Sequence, residues 1–238
     1  MAYRRGTITQ PFPLFYPQTL KDLLFKTVQK RVLTWQGKLI LSTILAFSFI
    51  TLWISREFWL KTLVTPYIVD EIPTSYPQCK NLVVENWTGN YEIFVHAKTL
   101  AEKTGATTIA ATMYESTYHH PRLKQATLLN AWSAELDTAS LIFFIVPFQE
   151  PKTLNLAKAV VDSAYARGWK EFSLVTRDLH SRRSRLCYEK FAKPLGITVH
   201  ILPYELAFNH RNWFQSTTGW TVAFPELIKQ LYYDFVVL

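Results

Sequence analysis

The stretch "EFSLVTRDLHSRRSRLCYEKF", residues 171–191, carries a strand signal and a helix signal separated by one charged turn. The apolar residues at 172–176 are typical of a buried strand. The residues at 181–193 have helical spacing and are followed by Pro194 and Gly196, which end helices. A strand that leads directly into a helix is the repeating unit of α/β domains with parallel sheets. This stretch therefore indicates the fold class.

The same alternation runs through residues 81–238. The run "SLIFFIV", residues 140–146, has no polar face, as expected for a strand that helices cover on both sides. We predict an α/β, Rossmann-like, parallel five-stranded sheet with helices on both faces and strand order 3-2-1-4-5 or a close variant. We place strands one and four next to each other because ligand-type residues follow both of them, and ligands bind between neighbouring strands at a topological switch point. The predicted strands are 82–85, 107–112, 140–146, 172–176 and 197–202, and the predicted helices are 91–103, 121–136, 153–166, 181–193 and 226–235.

Three arginines, Arg182, Arg183 and Arg185, stand in the first turns of the helix predicted at 181–193. A helix N-terminus already carries partial positive charge, so cations are disfavoured there unless an anion lies nearby. We expect Ser181 to cap the helix and its N–H groups, with His180 and Arg183, to bind a phosphate or carboxylate. Removal of Arg183 would then weaken anion binding and slightly stabilise the empty protein. Pairing with Asp178 or Glu205 is the alternative.

Ligands of open parallel sheets bind beyond the carboxyl ends of the strands, so the polar residues after each predicted strand are the candidates for a site. In an enzyme, Arg177 and Arg183 would bind the phosphate and His180, whose ordinary pKa lies near neutrality, would be general acid or base. Glu85 or Glu150 would orient a water or bind a metal. The two cysteines do not have the spacing of a zinc site, so we predict no metal site from the cysteine pattern, and the cofactor is unknown. The further candidate ligand-binding residues are Asn86, Thr153, Thr176, Arg211 and Trp213.

The N-terminal third of the chain holds a candidate membrane span. Residues 39–55 carry no charge, and 17 residues at about 1.5 Å each are just long enough to cross a bilayer core. Seven Lys or Arg precede this run and only Arg56 and Lys61 follow it closely, which places the N-terminus in the cytoplasm and the remainder outside. We predict a single-pass protein of the plasma (inner) membrane. Its parts are a basic segment at 1–38 with an amphipathic helix, the span at 39–55, a linker at 56–80 and the α/β domain at 81–238.

The distribution of charge excludes one class of partner. The net charge is +8, but residues 1–69 hold nine basic and two acidic residues, which leaves only +1 on residues 70–238. A nucleic-acid binder carries its positive charge on the recognising domain, so we expect no nucleic-acid partner. The bilayer and an anionic small-molecule or lipid-linked ligand are the expected partners.

Four segments resemble the bacterial YdcF/SanA/ElyC-like family. "LVTRDLHSRR" at 174–183 is similar to its VTS-x-x-H-x-x-R-A motif, with Arg177 and Ser184 at positions where serine and alanine are usual. The segments at 82–87, 150–157 and 211–233 resemble its first strand end, its S-x-x-T-x-E-N-A segment and its closing segment. Two departures stand out: Asn155 and Leu156 replace the Glu-Asn pair, and "TMYEST" at 112–117 lacks the usual glycines.

The resemblance implies a Rossmann-like domain, often membrane-anchored, linked to envelope or carrier-lipid metabolism. Two functions follow. In the first, the extracytoplasmic domain binds or processes an anionic, phosphorylated envelope or carrier-lipid precursor, and His180 and Arg183, which match the family motif, favour this. In the second, it is a non-catalytic ligand-binding or scaffolding module that docks envelope proteins, which the departures from the family pattern favour.

Overall fold

A computed structural model describes residues 35–70, 73, 75–86 and 91–237. The chain divides after Leu52, and the unit from Trp53 onward is an α/β domain around a five-stranded sheet in which all neighbouring strands are parallel. The spatial order is β3-β2-β1-β4-β5, and Val84 of β1 lies directly opposite Val175 of β4. The predicted fold class, strand order and pairing of strands one and four are therefore confirmed.

The strands and helices alternate from β1 onward, and most begin or end within two residues of the predicted positions. The strands are β1 (Asn81–Val84), β2 (Thr108–Tyr114), β3 (Ile142–Val146), β4 (Glu171–Arg177) and β5 (Thr198–Tyr204). The helices are α1 (Trp35–Ile54), α2 (Arg56–Trp59), α3 (Thr65–Ile68), α4 (Tyr91–Thr104), α5 (Glu115–Tyr118), α6 (Pro121–Ser133), α7 (Lys152–Ala166), α8 (Ser181–Ala192) and α9 (Thr217–Tyr232), with π-helical turns at Leu60–Val64 and Tyr233–Val237.

Each face of the sheet is covered by a pair of helices, because successive side chains of a strand point to opposite faces. Helices α7 and α8 cover one face, where Val83 and Leu174 are buried. Helices α4 and α6 cover the other, where Leu82, Val84 and Val175 are buried. Strands β1 and β4 are thus covered on both sides, which explains why the central residues of both are buried.

Helix α1 is long and apolar enough to cross a membrane over residues 37–54, and that window is not buried by the described part of the chain. It contains nearly all of the predicted span at 39–55. The amphipathic helix predicted within residues 1–38 falls largely outside the described residues.

The expected linker at 56–80 differs from the structure, because residues 56–68 are helical. Leu60, Ile68 and Val69 are buried in a third apolar cluster, with Trp213 and Phe214 from the other end of the chain. The buried indole of Trp213 donates a hydrogen bond to Thr65 at 3.1 Å. We call residues 56–69 the membrane-proximal segment. Three of its apolar side chains, Leu60, Ile68 and Val69, belong to the domain core, so this segment is not a linker.

The last helix also differs from the expectation that it begins after Pro225. Helix α9 begins at Thr217 and contains Pro225 in its interior. Ser216 provides the start signal: its side chain accepts a hydrogen bond from the Gly219 N–H at 3.0 Å and caps the helix. Gly219 is required beside this cap, because a Cβ there would lie 2.0 Å from the carbonyl oxygen of Trp213.

Candidate anion-binding cleft

A cleft of about 480 Å³ opens at the carboxyl ends of β1, β4 and β5. This is the edge at which ligands of open parallel sheets bind. The cleft lies beside the topological switch point between β1 and β4. The side chains that line the cleft divide into a charged group and an apolar group. The charged group is Glu85, Glu92, Arg177, His180, Arg183, Glu226 and Lys229, and the apolar group includes Ile93, Leu179, Leu206, Phe208 and Val222.

Arg183 is buried and fully engaged with protein groups. Its Nη2 donates to Glu226 Oε2 at 2.7 Å and its Nε to the same oxygen at 3.2 Å. Its Nη1 donates to the hydroxyl of Thr153 in the first turn of α7. The guanidinium also lies over the ring of Tyr233, 5.2 Å from its centroid. The anion that balances Arg183 in this structure is therefore the carboxylate of Glu226.

Glu226 is the centre of a small cluster of charges. Lys229 Nζ donates to its Oε1 at 2.9 Å, and His180 Nδ1 lies 3.0 Å from its Oε2. Burial by itself raises the pKa of Glu226. The charges and hydrogen bonds of His180, Arg183 and Lys229 outweigh that effect and hold the pKa well below its ordinary value. Glu226 is consequently ionised at neutral pH.

His180 belongs to the same cluster through one ring nitrogen. Its Nδ1 lies 2.8 Å from Arg183 Nη2 as well as near Glu226. A guanidinium only donates, so Nδ1 either accepts from Arg183 or, when protonated, donates to Glu226. In both states this nitrogen holds the cluster together, which is a positioning role in addition to the predicted acid–base role.

Glu85 lies at the base of the cleft with a side chain that is 0% exposed. Its Oε2 accepts a hydrogen bond from Ser184 at 2.9 Å, and the Ser184 hydroxyl lies 3.3 Å from that of Thr176. The buried Tyr188 side chain is a second hydrogen-bond partner of the Glu85 carboxylate. Burial raises the pKa of Tyr188 well above its ordinary value, and the carboxylate of Glu85 raises it further.

Arg177 differs from Arg183 in its partners. Its guanidinium lies over the ring of Phe208, 4.5 Å from the centroid. Two of its nitrogens, Nε and Nη2, are buried and have no acceptor in the part of the chain that the structure describes. Burial lowers the pKa of Arg177, and the neighbouring Tyr204, Asp178 and Glu226 raise it. The cleft is thus lined by a cation two of whose three donor nitrogens are buried without an acceptor among the described residues.

The other arginines of α8 bind the membrane-proximal segment and the residue after it. Arg182 donates to the carbonyl of Pro66 at 3.1 Å, and Arg185 lies 2.7 Å from the carboxylate of Asp70. The expected cap is wrong: the Ser181 hydroxyl accepts from the Asp70 N–H at 2.8 Å and donates to the carbonyl of Asp178 at 2.6 Å. Tertiary partners thus stabilise the cations at this helix end.

Intramolecular pairing was the alternative expected for these arginines, but the partners differ from those proposed. Asp178 instead accepts from the backbone N–H of His210 at 2.6 Å and from Leu179 at 2.7 Å, with His210 Nδ1 at 3.1 Å. Burial raises the pKa of Asp178, and these hydrogen bonds lower it. Glu205 pairs with the exposed Arg211 at 3.1 Å.

The structure brings five of the predicted site residues together and separates others. Glu85, Arg177, His180 and Arg183 line the cleft, and Thr153 contacts Arg183. Thr176 and Asn86 are buried beside them, Thr176 through Ser184 and Asn86 through a hydrogen bond from its N–H to Thr112 at 3.0 Å. The remaining three do not join this group: Glu150 is exposed and pairs with Lys152, Arg211 is exposed, and Trp213 is buried against the membrane-proximal segment.

Sequence reasoning missed Glu226, Lys229, Glu92 and Ser184 as members of the site. Glu226 and Lys229 stand in register with the closing segment of the resembled family, which was the one signal that pointed to them. Ser184 was noted only as a departure from the usual alanine. No feature of the sequence distinguishes Glu92 from other acidic residues in the first turn of a helix.

Comparison with known proteins finds no match among family models, curated proteins or solved structures. Within residues 35–70, 73, 75–86 and 91–237, His, Cys, Asp and Glu form no group of three or more that could hold a metal ion. Cys79 and Cys187 are both buried and not in a disulfide, and burial raises the pKa of the Cys187 thiol to about 12. The chemistry of the cleft must therefore be argued from its own residues.

Proposed function

We propose that the protein binds an anionic, phosphorylated ligand in the cleft at the carboxyl ends of β1, β4 and β5. Arg177 provides the main contact to the anionic group, whereas Arg183 positions His180 and Glu226. This changes the emphasis of the sequence-based hypothesis, in which Arg183 was the principal anion ligand.

The observation that carries the proposal is the state of Arg177. A buried N–H without an acceptor costs about 1–3 kcal/mol, and more when the group is charged. Arg177 has two such nitrogens in a cleft, which is a cost that a phosphate with several acceptor oxygens would remove. The other guanidinium of the cleft, that of Arg183, already donates hydrogen bonds to Glu226 and Thr153.

The size and lining of the cleft limit the ligand. A volume of about 480 Å³ accommodates a small molecule or a head group, but not a long isoprenoid chain. Leu206, Phe208 and Val222 supply apolar surface beside the charges. A sugar phosphate and the phosphorylated head of a carrier lipid both have this combination of an anionic and a less polar part.

The proposed location is the outer side of the plasma (inner) membrane, with α1 as the single span. The excess of Lys and Arg before α1 supports a cytoplasmic N-terminus. A reporter enzyme fused to the C-terminus tests this topology. We expect activity from a reporter that functions only outside the cytoplasm. Activity of a reporter that works only in the cytoplasm would contradict the topology.

The test of the cleft is calorimetric titration of the full chain in detergent micelles, with inorganic phosphate and a polyprenyl phosphate as separate probes. Arg177→Ala is expected to weaken binding by about 1.5–3 kcal/mol, or roughly 10- to 150-fold in Kd. Arg211→Ala is the matched control, because it removes the same charge from an exposed position outside the cleft. Equal losses in the two variants would show that binding depends on net charge and would refute the cleft.

Processing of the ligand is the more demanding form of the proposal. Glu85 is the candidate base, since it lines the cleft and Ser184 fixes one of its carboxylate oxygens. Release of phosphate from a phosphomonoester by the wild-type chain, lost in Glu85→Gln while phosphate binding remains, would support catalysis. Binding without turnover would support the non-catalytic module, whose rationale here is the complete burial of Glu85.

A further inference from the structure

Helix α9 presents an apolar stripe that the described protein does not cover. Six exposed side chains follow each other at spacings of mostly three or four residues, so they share one side of the helix and of the turn after it. All six are uncharged, and four of them are aromatic. We call this set the α9 stripe: Trp220, Phe224, Ile228, Leu231, Tyr232 and Phe235.

The opposite side of α9 is occupied by the domain. Gly219, Ala223 and Gln230 are buried, and Glu226 points to Arg183. The side of α9 that carries the stripe is therefore not the side that packs on the domain core. Contiguous exposed apolar surface of this kind marks an interaction site on a folded protein.

We propose that the α9 stripe lies on the surface of a lipid bilayer, on the same side of the membrane as the domain. Its composition suits the interface, where tryptophan and tyrosine are enriched and aliphatic side chains enter the acyl boundary. The proposal rests on α1 crossing the bilayer, but it does not depend on what the cleft binds.

The covalent chain supplies the reason for choosing a bilayer as the occupant. Arg56, the start of α2, follows Ile54, the end of α1, by two residues, so the membrane-proximal segment begins within about 7 Å of the apolar helix. That segment packs directly on α9: Leu60 and Ile68 share a cluster with Ala223, and Tyr67 donates to Asp234 at 2.7 Å. Its 13 helical residues, 56–68, extend about 20 Å, so the chain reaches Ile68, which packs on α9, within about 27 Å of the end of α1.

The exposed side of the membrane-proximal segment is apolar as well. Phe58 is 73% exposed and Leu63 is 70% exposed, while Leu60 beside them is buried. Two elements that pack on each other thus both expose large apolar side chains. This is expected if one lipid surface covers both elements. A single exposed apolar side chain is ordinary in a folded protein, whereas several on two elements that pack together need an explanation.

Site-directed spin labelling of the full chain in phosphatidylcholine nanodiscs tests the proposal. Cys79 and Cys187 are buried, so the label is directed to a cysteine introduced at the surface. The variants are Phe224→Cys and Ile228→Cys, with Leu129→Cys on α6 as the matched control. Ile228 and Leu129 are both 53% exposed, and α6 covers the face of the sheet that Leu82 and Val84 line.

Collisions with oxygen, which partitions into lipid, are compared with collisions with a water-soluble nickel chelate. We expect the ratio of oxygen to nickel accessibility to shift toward oxygen at 224 and 228 and toward nickel at 129. Nickel accessibility at 224 and 228 equal to that at 129 would overturn the proposal. Protection from both reagents would also overturn it, because another protein surface would then cover the stripe; dipolar coupling between labels would identify that surface as a second copy.

Discussion

The two halves of the sheet's carboxyl edge differ in how deeply their polar side chains are buried. After β2 and β3, the residues Glu115, His119, Gln149 and Glu150 are all exposed. After β1 and β4, Glu85, Asp178, His180 and Arg183 are all buried. Both halves look equally polar in the sequence.

The difference lies in what packs over each half. Helix α9, the membrane-proximal segment and Asp70 after it cover the region around β4. They supply Glu226, the carbonyl of Pro66 and the carboxylate of Asp70 as partners for the arginines of α8. The described chain supplies no such cover for the loop after β3, where Glu150 pairs only with its neighbour Lys152. Charge becomes structurally important where distant parts of the chain enclose it, and the predictions below separate the two halves on that basis.

The largest effect is expected for Arg183→Ala. Removing one partner of a buried ion pair leaves an uncompensated charge and costs about 3–5 kcal/mol, so the free energy of unfolding should fall by that amount. Because Arg183 balances Glu226, this reverses the slight stabilisation expected from the sequence. Denaturant unfolding of the full chain in micelles, followed by tryptophan fluorescence, measures it. An unchanged stability with lost phosphate binding would return Arg183 to the role of a ligand contact.

Glu226→Gln should show a smaller effect that depends on pH. At neutral pH we expect a loss of about 1.5–3 kcal/mol, the range for hydrogen bonds to charged groups. The folded-state pKa of Glu226 is lowered from 4.5, so its stabilisation is present above that value and is lost as the pH falls further below it. The stability difference between wild type and variant should therefore shrink below about pH 4.5. A difference that is constant from pH 7 to pH 3 would contradict the charge cluster.

Ser184→Ala should cost about 1–2 kcal/mol, because it removes the hydrogen bond to the buried carboxylate of Glu85. Ser163→Ala is the control. The Ser163 hydroxyl bonds only to the Ala159 carbonyl of its own helix at 2.7 Å, an interaction that contributes little to stability. The unfolding free energies of the two variants should differ, and equal values would mean that the Ser184–Glu85 contact is not stabilising.

The smallest effect is expected on the other half of the edge. Glu150→Ala should change the free energy of unfolding by less than about 0.5 kcal/mol, because its pair with Lys152 is exposed. Phosphate binding should be unchanged as well, since Glu150 does not line the cleft. A loss of binding in Glu150→Ala would extend the site to the end of β3 and remove the contrast between the two halves.

The sheet could be predicted because its determinants are local. Apolar runs such as 140–146, separated by helical segments, specify parallel strands, and the ligand-type residues after strands one and four indicated their adjacency. Val84 and Val175 are paired as that argument required. Local patterns therefore sufficed for the order of all five strands.

The cleft could be predicted only in part, because burial of a charge depends on elements that are distant in the sequence. Glu85 and His180 follow strands and were found by position. Glu226 was missed because Pro225 was interpreted as the start of a helix, whereas the capping residue is Ser216. Asp70 was assigned to a linker on account of the prolines after it, so its contacts with Arg185 and Ser181 could not be anticipated.

The packing of the membrane-proximal segment has a consequence for proteolysis. A protease that cut the chain between residues 70 and 80 would leave Leu60, Ile68 and Asp70 held to the domain only by noncovalent contacts, such as those with Trp213 and Arg185. If the two pieces then separated, the domain would expose a new apolar surface and would be prone to aggregate. The compact unit that contains the sheet begins at Trp53, well before the proline-rich stretch.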